Sequence, residues 1–428
     1  MKKHTTTRLV ASTLASALVA GVAAGCNTGS SSGGKAFFGP GSTGAAGGAP
    51  GGGGGGGGGG LGQFSSAPAL TAGARSQHTA TTLPDGRVLV VGGTDGNGVY
   101  TTSEVFDPVA NTWTSLDQIS PTPADAQMIN NGNATGRQLH TATLLQTNRV
   151  LIAGGIGVET PNQLTAMTTC YLFDSTTNAF TQTGAMPQGR GWHFASRLSN
   201  GHVLVAGGVN SQMLSLNSSA TYDPATGQWT ASGTSSFHTL GAMVSAGGQT
   251  LIVGGCQIGL NQQQQPAITG LPNPIVERYD VQARTFGQGA ANVGHRIYYG
   301  AAVSSAGRPL FAGGSSTNGV EDTTEYYDTQ TSAFVTGPQL NEARDTVEIA
   351  EIGGSADMLI VGGVDTQQAP LASCEIYQHT TNTIAGSVNM ATPRVDHRVV
   401  TLLDGRILVI GGADANGNPL DQCEFYTR

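Results

Sequence analysis

"HTATTLPDGRVLVVGG", His78 to Gly93, decides the fold. Two short β-prone stretches flank the turn Pro84-Asp85-Gly86, and a double glycine stops the second. An Asp-Gly turn between such runs predicts a β-hairpin. A close relative, "HTATLLQTNRVLIAGG", begins at His140. Paired glycines closing an apolar strand recur at Gly92-Gly93, Gly154-Gly155, Gly207-Gly208, Gly254-Gly255, Gly313-Gly314, Gly362-Gly363 and Gly411-Gly412. Other marks keep step. Each pair is followed by an aromatic: Phe106, Phe173, Tyr222, Tyr279, Tyr327, Tyr377, Tyr426. Seven positions beyond the first six stands a large apolar residue: Trp113, Phe180, Trp229, Phe286, Phe334, Ile384. One such unit cannot bury both of its faces, but stacked units can.

The stretches "SEVFDPVANTW" and "SATYDPATGQW" resemble the third and fourth strands of kelch repeats, and the resemblance runs from Phe64 to Arg428. It implies an all-β fold, a seven-bladed kelch-type β-propeller of four-stranded antiparallel blades. The seventh unit stops at "QCEFYTR", after its third strand. A spare fourth strand lies in "GQFSSAPAL", with Phe64 about as far before Arg75 as Phe180 is before Arg190. The expectation is that this N-terminal strand closes the last blade and removes an exposed edge.

Composition narrows the partners. The chain has 428 residues and a formal charge of -8, which offers nothing to nucleic acid or an anionic membrane surface. Its first residues, "MKKHTTTR" then "LVASTLASALVAGVAAG", read as a signal peptide over residues 1–25. Ala23-Ala24-Gly25-Cys26 resembles a bacterial lipobox, although Ala23 stands where a larger aliphatic residue is usual. The resemblance implies that Cys26 is lipidated, anchoring the protein in the bacterial cell envelope. The other reading is an ordinary cleaved signal. Residues 26–62, with ten consecutive glycines, are expected to be a disordered tether. The propeller then covers 63–428, as a monomer.

The candidate ligand-binding residues also repeat. "RSQH", "RQLH", "RGWH" and "RVDH" place Arg75 with His78, Arg137 with His140, Arg190 with His193 and Arg394 with His397 at the entry to the innermost strand. Arg296 and Arg344 hold the arginine position in two more units, while Phe237 breaks the series. Two readings compete: a cationic collar for a carboxylate or acidic peptide, or side chains that hold each blade together. The stretch "RIYYG" resembles a motif of galactose oxidase and related copper oxidases, with Tyr298 matching their tyrosine and Tyr299 where they have histidine. That resemblance opens an alternative function as a sugar-active enzyme, an oxidase or an epimerase of the sialic acid type. No catalytic set, metal site or cofactor is expected. Cys170, Cys374 and Cys423 share one slot, three residues before the strand-three aromatic, which points to burial rather than disulfides.

Length varies in only some connections. The spacing from the arginine position to the double glycine, and from the strand-three aromatic to its strand-four partner, is nearly constant. The long insertions, "SLDQISPTPADAQMINNGNATG", "IGVETPNQLTAMTT" and "CQIGLNQQQQPAITGLPNPIV", all fall in connections that leave the opposite end of a four-stranded meander. The expected function is therefore a tethered binding module for a protein or glycan on the long-loop face.

Overall fold

The computed structural model describes residues 60–116, 136–160, 163–270, 274–289 and 294–428. The expected signal peptide, Cys26, nearly all of the expected tether and most of the first insertion lie outside these residues. Regular structure among the described residues is all β-strand.

Seven four-stranded antiparallel sheets are present among the described residues, six of them meanders. The first runs Thr79–Thr82, Val88–Val91, Ser103–Asp107 and Thr112–Leu116. Its second strand, Val88-Leu89-Val90-Val91, is buried throughout, because neighbouring sheets cover both of its faces. The aromatic marks are cross-strand pairs: Phe106 faces Trp113, Phe173 faces Phe180 and Tyr222 faces Trp229. Their ring centroids lie 5.0 to 5.1 Å apart, a separation at which tilted aromatic pairs attract.

The last sheet is built from Arg398–Thr401, Ile407–Ile410 and Cys423–Thr427, and its fourth strand is Gln63–Ala67. Phe64 pairs with Tyr426, at 5.4 Å between rings. The innermost strands lie beside one another in chain order, and Thr79–Thr82 also lies beside Arg398–Thr401.

The double glycines mark the junctions between sheets. Gly154 has φ +59°, and a Cβ there would stand 2.6 Å from the carbonyl oxygen of Arg190 in the next sheet. Gly155 donates its N–H to that same carbonyl at 2.9 Å. Only a residue without a side chain allows both the left-handed backbone and this approach. Gly412 makes the equivalent bond to Arg75 at 2.9 Å, which links the seventh sheet to the first.

Candidate functional site

The six arginines stand two residues before a backbone position with positive φ, at the entry to each innermost strand. All six are almost completely buried. Each guanidinium reaches across its own sheet. Arg190 donates to the carbonyls of Gly207 and Ser218, both at 2.8 Å, and Arg296 to those of Gly313 and Thr323, both at 2.8 Å. Arg75, Arg137, Arg344 and Arg394 repeat the pattern with Gly92, Gly154, Gly362 and Gly411. Of the two readings, this geometry is that of the blade-holding one. The arginines satisfy carbonyls where strand pairing ends, and they present no cationic surface.

Their counter-ions form a series that sequence reading missed. Arg75 meets Glu104 at 3.1 Å, Arg296 meets Glu325 at 2.6 Å, Arg344 meets Glu375 at 3.0 Å and Arg394 meets Glu424 at 2.7 Å. Each glutamate stands two residues before the strand-three aromatic, so the spacing could have revealed it. In the second unit Tyr171 takes that place, and the Arg137 guanidinium lies over its ring at 5.1 Å. In the third it is Ala220. There Arg190 bonds the Ser218 hydroxyl at 2.9 Å, and burial lowers the arginine to about 10.

The fourth unit corrects the reading of Phe237 as a simple break. His238, the next residue, takes over the arginine's bonds. Its Nδ1 lies 2.6 Å from the Gly254 carbonyl and its Nε2 lies 2.7 Å from Glu277.

Two of the four histidines that follow the arginines bridge neighbouring sheets. His140 Nε2 contacts the Thr79 hydroxyl at 2.9 Å, and His193 Nε2 contacts that of Thr141 at 3.0 Å. His78 and His397 find no such hydroxyl, because Arg398 and Glu348 occupy the equivalent places; those two pair with each other at 2.7 Å. Burial is the chief reason all four are held neutral: His193 and His397 are pushed down to about 3, and His78 and His140 well below the ordinary range. The four histidines therefore contribute no positive charge at neutral pH. Among the described residues, no three His, Cys, Asp or Glu side chains converge as a metal site. Cys170, Cys256, Cys374 and Cys423 are free and buried.

Tyr298 belongs to a different set. Gln77, Leu139, Trp192, Leu240, Tyr298, Thr346 and Asp396 all have φ between +52° and +66° and succeed one another around the innermost strands. Backbone bonds join neighbours: Leu139 N–H to Gln77 O at 3.3 Å, Trp192 to Leu139 at 2.9 Å, Tyr298 to Leu240 at 3.0 Å, Gln77 to Asp396 at 3.3 Å. These left-handed residues thus form a series at the entries to the innermost strands. Their side chains differ along it: Leu139, Trp192, Leu240 and Tyr298 form an apolar arc, and Thr346, Asp396 and Gln77 a polar one.

The apolar arc continues into the insertions. Ile156–Thr160 and Gln163–Ala166 form one hairpin, and Ile258–Leu260 with Pro266–Ile268 another. Ile156, Ala166, Ile258 and Ile268 pack in one cluster with Leu139, Trp192 and Tyr298. The Ser211 hydroxyl accepts from Ala166 N–H at 3.0 Å, and the Ser215 hydroxyl from Ile258 N–H at 2.7 Å, which ties both hairpins to the third unit. Leu260 stays exposed at the tip of the second. On the opposite face Val109 and Leu403 are exposed at short turns.

Residues 74–117 match the family profile described as the Kelch motif, so this stretch of the chain carries a kelch repeat. No curated protein matches the chain.

Proposed function

We propose that the seven sheets are the blades of one kelch-type propeller, closed by Gln63–Ala67, and that it is a protein-binding module whose partner sits on the hairpin-bearing face. One observation carries this reading: the hairpins at 156–166 and 258–268 pack against a single apolar cluster that reaches the axis. The turns at the other end, such as Asp85-Gly86 and Asp404-Gly405, are short and carry no hairpin of their own among the described residues. The kelch motif supports a role in protein interaction. The arginines and glutamates brace the blades, so that loops of different length can be held still. The test is capture from an envelope extract by the intact chain and by a variant with both hairpins cut to short turns. The account predicts loss of the partner with little loss of stability, since loop length costs little. Undiminished capture by the shortened variant contradicts it.

We further read Cys26 as a lipid anchor, on the strength of the lipobox-like Ala23-Ala24-Gly25-Cys26. Cys26→Ala should release the protein into the soluble fraction or leave it unprocessed. An unacylated mature N-terminus in the wild type, seen by mass spectrometry, overturns the anchor.

A further inference from the structure

We propose that the axial mouth on the hairpin-bearing face receives a basic side chain, lysine or arginine, from a partner protein, its stem against Trp192, Leu139 and Tyr298 and its charged head at Asp396. The proposal rests on the reading of that face as the interaction surface.

The series of left-handed residues is divided by chemistry. On one side Leu139, Trp192 and Tyr298 are only half-buried, although each is large and apolar. On the other side stand Asp396, Asp345 and Gln77. Asp396 Oδ2 accepts one long bond, 3.3 Å from Gln77 Nε2. Asp345, almost fully buried behind it, is held by the hydroxyls of Ser315 at 2.5 Å and Thr346 at 2.9 Å. The arcs meet at Tyr298. Its hydroxyl is buried without a partner, and it feels the charges of Asp345 and Asp396.

The local charge is unbalanced. Glu348, Asp345 and Asp396 are three carboxylates, and each is pushed up, chiefly by burial. The cation among them is Arg398, which pairs with Glu348 at 2.7 Å, donates to the His397 carbonyl at 2.9 Å and also acts on Asp396, so that one guanidinium stands against three carboxylates. The nearby histidines are neutral, and Arg75, Arg344 and Arg394 are engaged inside their own sheets. A buried carboxylate with so little compensation favours an incoming cation. The apolar arc sets what carries that cation: a Lys or Arg stem buries its methylenes against the rings while its charged head reaches the carboxylate. The sign is opposite to the acidic ligand expected of an arginine collar, because those arginines are inside the sheets.

The probes are acetylated heptapeptides Gly-Ser-Gly-X-Gly-Ser-Gly amide, with X as Lys, Arg, norleucine or Glu, and free butylammonium. Binding to the full chain is read by ligand-observed NMR. The Lys and Arg peptides should bind about tenfold more tightly than the norleucine peptide, the value of one charge-assisted contact. The Glu peptide should give no signal. Asp396→Asn should lose that advantage while melting like the wild type. Trp192→Leu should weaken both the Lys and the norleucine peptides. Equal binding of Lys and norleucine, no binding of the Lys peptide at millimolar concentration, or an unaffected Asp396→Asn overturns the proposal. Butylammonium binding without peptide binding also overturns it, in favour of a small amine. If the peptides fail while the envelope partner is still lost on shortening the hairpins, the interaction surface stands and only its cationic anchor falls.

Discussion

His238 and Glu277 meet at 2.7 Å inside the fourth sheet, in the place where four other sheets set an arginine against a glutamate. The imidazole is shorter than a guanidinium, and its entry one residue later in the chain makes up the difference. Its other nitrogen keeps the bond to the first glycine of the pair, at 2.6 Å. The repeat thus preserves an interaction, a nitrogen-bearing side chain bridging a junction carbonyl and a glutamate, rather than a residue type.

The arginine variants should therefore separate by partner. Arg344→Met leaves the buried Glu375 without its counter-ion, held only by Asn341 and the Glu342 N–H, and should destabilise by about 3–5 kcal/mol. Arg344→Met with Glu375→Leu should recover much of that loss, because no buried charge remains. Arg190→Met faces no carboxylate and should cost less, about 1–3 kcal/mol, for its unsatisfied carbonyls. Denaturant midpoints with unchanged slopes check this series. Equal costs for Arg190→Met and Arg344→Met would mean that the glutamates contribute nothing.

Acid should unfold the protein through its histidines. His193 and His397 hold their protons only near pH 3 when folded, but near 6.5 when unfolded. The unfolded chain therefore binds more protons between those values. The stability these groups supply is complete above 6.5 and falls as pH drops toward 3, by about 1.4 kcal/mol per pH unit for each histidine. Asp345, Asp396 and Glu348, raised chiefly by burial, act in the opposite sense, since the folded chain holds their protons more tightly than the unfolded one. Comparing His193→Gln with the wild type isolates one histidine. Its stability should decline less steeply between pH 6.5 and 5, and an identical decline would place the His193 proton elsewhere.

Truncation tests the seam. A chain beginning at Gly60 keeps Gln63–Ala67 and should melt like the full chain. A chain beginning at Thr71 loses that strand and the Phe64–Tyr426 contact, and uncovers the edge of Cys423–Thr427. A loss of about 3–5 kcal/mol is expected from half-buried Phe64 together with buried Ala67 and Leu70, with aggregation from the bare edge. Matching melting temperatures would show that the N-terminal strand does not hold the last sheet.

Much of the strand framework was legible because its marks are local and recur. The double glycine, the strand-three aromatic and its partner seven residues on lie within one unit, and their cross-strand pairing follows from their spacing. The site was less legible because it is assembled between units. Glu104 and its equivalents carry a simple spacing but acquire meaning only beside an arginine about 30 residues earlier in the chain. The hairpin at Ile258–Ile268 reads as a glutamine-rich loop, and its tie to Ser215 belongs to another sheet. Leu139, Trp192, Tyr298 and Asp396 share a position but no chemistry, so that only their common left-handed backbone reveals the series.

The most direct measurement is hydrogen exchange of the intact chain with and without its captured partner. The account predicts slowed exchange across Ile156–Ala166, Ser211–Leu216 and Ile258–Ile268 and around Leu139 and Trp192, with the turns at Asp85-Gly86 and Asp404-Gly405 unchanged. Protection confined to those turns, with the hairpins exchanging as before, would place the partner on the opposite face and contradict the account.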